Sequence, residues 1–179
     1  MIALAPESSV TLGHDGGVGD ESFDRLVGML DYTMFMVTTQ ADGHPSGCLV
    51  GFATQTSMRP PRFLVGLSKN NHTFGVAARS DYLAVHVLPR RHIGLARLFG
   101  GQTGDQVNKF DHCSWHTGPE GMPILDDAVA WFVGKTLERV DLGDHVGYLL
   151  EPVTGDAAER SDDLVSFADV ADLEPGHEA

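Results

Sequence analysis

The stretch CLVGFATQTSMRPPRFLVGLS, residues 48–68, decides the fold. Two apolar runs flank a hydroxyl-rich break that ends in a double proline. CLVGFAT (48–54) and RFLVGLS (62–68) read as strands, with QTSMRPP (55–61) leading from one to the other. Pro60 and Pro61 fall just outside the second run, where a missing amide donor costs little. Upstream, MFMVTT (34–39) reads as another strand, and Asp42-Gly43 in ADGHPSG supplies the turn of a hairpin.

Further strands are expected at YLAVHVLP (82–89), AVAWFVGKTLERV (128–140) and HVGYLLEPV (145–153). The composition of 128–140 also suits a helix, but its aromatic and β-branched content favours a strand. Short helices are expected over SFDRLVGML (22–30) with Ser22 as cap, over 71–80 and over 91–100. The loop 101–123 is long and rich in glycine, as functional or interfacial loops are. No regular crossover helices separate the strands, which argues against a parallel doubly wound sheet. A mainly β, mostly antiparallel barrel of about six strands with helical insertions fits better.

The chain has 179 residues, and 12 Lys and Arg face 25 Asp and Glu, for a formal charge of -13. Such a surface repels a phosphate backbone, which argues against a nucleic-acid partner. No apolar run approaches the ~18 residues that span a bilayer, and the N-terminus lacks the basic start of a signal peptide. Cys48 and Cys113 form no CxxC motif. Free thiols and a cytoplasmic location are the expectation.

Two segments offer binding chemistry. GFATQTSMRPP (51–61) presents Thr54, Gln55, Thr56 and Ser57 at a strand end, beside Gly51, which lets a backbone approach closely. SKNNHTF (68–74) puts Lys69 and polar groups before a helix. Each is open to a plainer reading, local hydroxyl caps in the first and an ordinary N-cap in the second. DHCSWH (111–116) resembles a metal patch only in residue type, because no predicted helix aligns His112 and His116; no metal is expected. His86 alternates with valines and reads as structural, and neither GxSxG nor a strand-preceded GxGxxG is present. In LGDHVGYLL (142–150), His145 either closes a turn or faces a ligand.

The ordered set of ADGHPSG, GFATQTSMRPPRFLVGLS, KNNHTFGVAARSDYLAVHVL, LARLFGG, KFDHCSWHTGPEGMPILDDAVAWF and LGDHVGYLLEPV covers about residues 24–155. In order and spacing it resembles the flavin reductase-like family with an FMN-binding split barrel. The resemblance implies a six-stranded antiparallel Greek-key split barrel over residues 21–155. Composition alone makes 1–20 an arm and 156–179 an acidic tail that is surface-bound or partly disordered. The resemblance also implies a homodimer that transfers hydride from NADH or NADPH to FMN or FAD and supplies reduced flavin to a monooxygenase.

By that resemblance Gly51, Phe52, Ala53, Thr54, Gln55 and Thr56 line the isoalloxazine and ribityl chain, with Ser57 near the phosphate. Ser68, Lys69, Asn71, His72 and Thr73 correspond to a second phosphate-side segment, with Arg59 and Arg62 as further phosphate candidates. Phe99 matches an aromatic before glycines, Lys109-Phe110 a frequent Lys-Phe pair, and His145 the histidine that positions nicotinamide against flavin. Gln55 and Thr56 stand where many members have a serine pair, and Lys135 lies in a strand where many have a cysteine. The alternatives are a tightly bound FMN serving another acceptor, or a non-enzymatic flavin-binding dimer.

Overall fold

A computed structural model of the chain describes residues 21–159, 163–174 and 176. The arm expected over residues 1–20 lies outside the described residues. The chain falls into two units, Met1–Leu30 and Asp31–Ala179. The described part of the first carries helix α1 (Glu21–Val27). Ser22 therefore lies within the helix and not ahead of it. The expected extension to residue 30 stops at Gly28, where the chain closes in turns through Met29 and Leu30.

The second unit opens with β1 (Phe35–Ala41) and β2 (His44–Val50), joined by Asp42 and Gly43, both at positive φ. Then come β3 (Ala53–Met58), β4 (Pro61–Ser68), α2 (His72–Ala77) and β5 (Tyr82–Val87). Helix α3 (Ile93–Gly101), a short hairpin of β6 (Trp115–Thr117) and β7 (Pro123–Leu125), and the long pair β8 (Ala130–Asp141) and β9 (His145–Ala157) complete the framework. Seven strands form one antiparallel sheet in the order β2-β1-β5-β8-β9-β4-β3.

Among the described residues the strands number nine, not six. One extra strand is β3, placed by sequence in a polar lead-in. The return strand of the hairpin ends at Val50, and Gly51-Phe52 turns the chain so that 53–58 pairs with β4 as an edge strand. An edge strand exposed on both faces has no apolar alternation to betray it. The other two, β6 and β7, lie in and just beyond the expected loop 101–123. Pro61 is the first residue of β4, a position that tolerates proline.

Side chains of successive residues leave the sheet on opposite faces. Val37, Cys48, Val50, Val65, Leu67, Leu83, Val85, Tyr148 and Leu150 meet in one core. That core joins β2 to β4, so the sheet curls until strands at its two ends face each other. Met34, Met36, Leu95, Phe99, Phe110, Leu125, Val165 and Val170 form a second core outside the curl.

Val165 and Val170 belong to the acidic tail, which is bound more deeply than a surface segment. Bridges from Thr33 to Ser166 and from Pro89 to Leu164 fix its path. Arg90 pairs with Asp169 at 2.6 Å and Arg97 with Asp172 at 2.7 Å. Its short helix (Phe167–Asp169) carries a Ser166–Asp169 capping box.

Candidate functional site

The β3 ladder pairs Ala53 with Val65 and Met58 with Pro61, and so ends before Gly66–Ser68. Beyond it, Gly66 N–H donates to the Phe52 carbonyl at 2.7 Å. Here the curled sheet is split. A cleft of about 280 Å³ occupies the seam, lined by Cys48–Phe52, Gly66–Ser68, Asn71, His145, Tyr32, Met34 and Phe167. A second compartment of about 310 Å³ lies on the other side of Phe52 and His145, and Ala53, Thr54, Leu64, Leu142 and Asp144 complete it.

His145 divides the two. Its ring meets Phe52 edge to face, with centroids 5.0 Å apart at 66°. Phe52 is 60% exposed, an aromatic face presented to the mouth of the cleft. Gly66 keeps the space between them open, since a Cβ there would lie 3.2 Å from the Phe52 Cβ, a tight contact. Gly51 has a similar role, since a Cβ there would lie 2.8 Å from the Tyr32 ring.

The turn before His145 is heavily tied. Gly143 adopts φ 97°, which favours glycine. Its N–H donates to Asp141, Leu142 N–H donates to the His145 carbonyl, and Lys69 N–H donates to the Asp144 carbonyl. Lys69 Nζ meets the Asp141 carboxylate at 2.9 Å. Ser68 is the register partner of His145 across β4 and β9. The Asp144 carboxylate lies 2.7 Å from Nδ1 of His145. As an ionised carboxylate only accepts, Nδ1 carries the proton, and Nε2 is left to the cleft. This bond, first, and the imidazole's charge hold the Asp144 carboxyl below its ordinary value. The Lys69 ammonium does the same for Asp141.

The expected residues divide among several places. Gly51, Phe52, Ala53, Thr54, Ser68, Asn71 and His145 line the two compartments. Thr54, Gln55 and Thr56 stand exposed on β3, and the Gln55 amide donates to the Ser57 carbonyl. Lys69 is engaged with Asp141. Thr73 is buried, its hydroxyl 3.0 Å from that of Ser46, and its N–H is capped by Asn71. His72 pairs with Asp105 at 2.7 Å and, with Lys109 and Phe110, borders a separate hollow of about 350 Å³. Phe99 and Phe110 pack in the outer core. The buried Lys109 ammonium donates to the carbonyls of Gly47 and Phe99, and burial lowers its pKa. Arg62 pairs with Glu151 at 3.2 Å. Burial pushes the Cys48 thiol up to about 11, so this cleft residue is no nucleophile.

Sequence reasoning missed Tyr32, Met34, Leu142 and Phe167 as cleft residues. Tyr32 and Phe167 stack with centroids 5.2 Å apart at 17°. The available signal was an aromatic inside an otherwise acidic tail.

A seven-stranded antiparallel sheet curled around a core, with a cleft in its seam, is a split barrel. An NADH:FAD oxidoreductase of Streptomyces globisporus C-1027 shares the fold at TM-score 0.76 and 24% identity, over 87% of this chain and 94% of that one. The chain belongs to the flavin reductase-like family, whose domain model matches residues 27–170. Its class is that of the flavin reductase enzymes. The ferric-chelate reductase (NAD(P)H) of Archaeoglobus fulgidus is 27% identical over 78% of this chain and 83% of its own length. The FMN reductase (NADH) RutF of Ancylobacter novellus is 28% identical, over 72% and 70%. The reductase component of 4-hydroxyphenylacetate 3-monooxygenase from Pseudomonas aeruginosa is 26% identical, over 83% and 88%.

Proposed function

We propose that the protein catalyses NAD(P)H-dependent reduction of FMN or FAD in the seam cleft, with residues 21–155 as the reductase domain and 156–179 as an acidic tail. The observation that carries this reading is the His145–Phe52 pair over Gly66, between two compartments of one cleft. Two planar rings brought together there gain the orientation that transfer between them requires. The walls fit a flavin, being largely apolar with hydroxyl and amide groups at one end, Ser68 and Asn71. Thr54 and Thr56 offer further hydroxyls on the exposed edge strand. Flavin supplies the hydride acceptor at N5 when bound. The protein's part is to stack, orient and exclude water. His145 orients nicotinamide through its ring face and Nε2, and no proton need move through it. Lys69 steadies the turn that mounts His145 and leaves phosphate to backbone and hydroxyl groups.

A second copy of the chain covers the exposed edge in this reading. Met58, Leu137, Val140, Leu142 and Val153 stand exposed on β3, β8, β9 and the turn between the last two. Such uncovered apolar residues mark an interface, and the reading is of a homodimer. The named role of the Pseudomonas relative favours delivery of reduced flavin to a monooxygenase. Among the described residues no helix is long and apolar enough to cross a membrane, and we place the protein in the cytoplasm. The ferric-chelate reductase relative favours a second reading, in which FMN stays bound and another acceptor is reduced.

The test is a steady-state assay crossing NADH and NADPH with FMN, FAD and riboflavin. Flavin-dependent nicotinamide oxidation is expected, and its absence in every combination would refute the reading. Visible absorbance that co-elutes with protein on gel filtration separates the second reading from the first.

A further inference from the structure

Phe167 is more than a wall of the seam cleft. Behind it lies a third compartment of about 190 Å³, lined by Met34, Leu49, Asn71, Phe99, Gly100, Gln102, Thr103, Phe167, Val170 and Leu173. It shares Met34, Leu49, Asn71 and Phe167 with the cleft, so the two are neighbours. Its floor is apolar. Its rim carries an amide and a hydroxyl, Gln102 and Thr103, with Asn71 at the passage. Whole-ligand sites measure ~300–1,000 Å³, so this compartment suits one ring system and not a whole cofactor.

We propose that this compartment is a purine subsite, which takes the adenine half of a dinucleotide whose redox half lies in the seam cleft. The proposal rests on the reading of that cleft as the flavin–nicotinamide site. A purine demands apolar faces and a partner for its amino and ring-nitrogen edge. Met34, Leu49, Val170 and Leu173 supply the first. A primary amide supplies the second, because its donor and acceptor match adenine N6 and N7 together. The Gln102 amide makes no hydrogen bond among the described residues and stands exposed at the rim. The Asn71 side-chain oxygen is committed to the Thr73 N–H, which leaves its NH₂ to donate at the passage.

The subsite exists because the tail is docked. Leu173 closes it, and that packing depends on the glycines that end α3. A Cβ on Gly100 would lie 3.3 Å from Leu173 Cδ2 and 3.1 Å from Leu49 Cδ2. The Arg97–Asp172 pair holds the same stretch of tail from outside. The chain thus spends its C-terminal segment on building one end of a groove that begins at Leu142.

AMP is the direct probe, titrated by calorimetry into flavin-free protein as wild type, Leu173→Trp and Gln102→Leu. Leu173→Trp fills the compartment, and Gln102→Leu changes an exposed rim residue without threatening the fold. Wild type is expected to bind AMP, and each variant to weaken it about fivefold or more. No AMP binding up to about 10 mM would overturn the proposal. So would binding that both variants leave intact. Two kinetic arms then identify the source of the adenine. NADH is paired with FMN, and reduced nicotinamide mononucleotide with FAD. A raised KM for NADH in the first arm assigns the subsite to the nicotinamide donor, and a raised KM for FAD in the second assigns it to flavin. No change in either arm counts against a role for the subsite. Wild type that binds AMP yet oxidises no reduced nicotinamide would refute the reductase reading and leave the purine subsite standing.

Discussion

Lowering the pH from 7 to 4 will destabilise the protein through one buried residue, His86 on β5. The side chain is fully buried. One nitrogen, Nδ1, lies 3.1 Å from the Met36 carbonyl, and the other accepts from the Leu125 N–H at 3.3 Å. A carbonyl only accepts, so Nδ1 carries the proton and Nε2 must be bare. A second proton would oppose N–H to N–H in a core. Burial, first, and then the charge of His116 drop the pKa from 6.5 to about 4, although the Met36 bond opposes them. The folded pKa lies below the unfolded one, so the unfolded chain takes up the proton first as pH falls. Stability is therefore full above pH 6.5 and declines toward pH 4. A difference of about 2.5 units at 1.36 kcal/mol each gives a loss of about 3 kcal/mol. The lowered carboxylates of Asp31, Asp105, Asp141, Asp144 and Asp172 contribute stability that begins to be lost below about pH 5, as the unfolded chain protonates; the variants share that loss, so it cancels when slopes are compared. Urea unfolding at intervals from pH 7.5 to 4.5 measures the slope. The control is His86→Asn, with His86→Leu as a second background should the first not fold. Both will be less stable at pH 7.5, yet their stability will fall less steeply. Parallel slopes for wild type and variants would refute the reasoning.

Other perturbations test the site and its supports. His145→Ala should raise KM for nicotinamide and lower kcat/KM about tenfold, the worth of one aromatic contact with its orientation, with a smaller effect on kcat; an unchanged reductase rate sinks the role. Lys109→Met leaves the Gly47 and Phe99 carbonyls without their shared donor and should cost about 2 kcal/mol in chemical denaturation. An equal or more stable variant would show that desolvation of the ammonium outweighs its bonds. Gly100→Val should push Leu49 and Leu173 apart, at a cost of about 1–3 kcal/mol. Hydrogen exchange should then quicken in residues 164–173 more than in β1 or β5, and uniform exchange would show that the tail does not dock through this contact.

The barrel strands were legible because their signals are local. An apolar run marked β1, alternation marked β5 and β9, and Asp42-Gly43 marked the hairpin turn. β3 was hidden, since a strand exposed on both faces carries no burial pattern. β6 and β7 are three residues each, too short for any period. Of the residues that line the cleft, Gly51, Phe52, Ser68, Asn71 and His145 were named from the order of motifs, not from any one of them. Tyr32 and Phe167 are 135 positions apart in the chain, and nothing local says that they stack. Net charge misled about the tail. Its acidity suggested a surface-bound or partly disordered segment, whereas Arg90 and Arg97 supply the partners for Asp169 and Asp172, and Val165 and Val170 are buried.

In the proposed reading, turn closure and ligand contact are one function of the Gly143-Asp144-His145 turn. A histidine at the first position of a strand has its backbone set by the ladder, in this case opposite Ser68. Its ring still needs a fixed rotation, and the adjacent Asp144 carboxylate gives one. Asp144 in turn is held by the bond from Lys69 N–H to its carbonyl, so β4 positions the residue that positions the ring. A positive φ at Gly143 is what lets the chain reverse in so few residues. Replacing Gly143 with Ala should therefore act on His145 at a distance. A side chain there meets open space, so the cost is the strained φ alone, about 1 kcal/mol. If the turn is the mount, KM for nicotinamide should rise in Gly143→Ala as it does in His145→Ala, and the double variant should show less than the product of the two effects. Strict multiplication would mean that the turn and the ring act independently, and that His145 needs no mount.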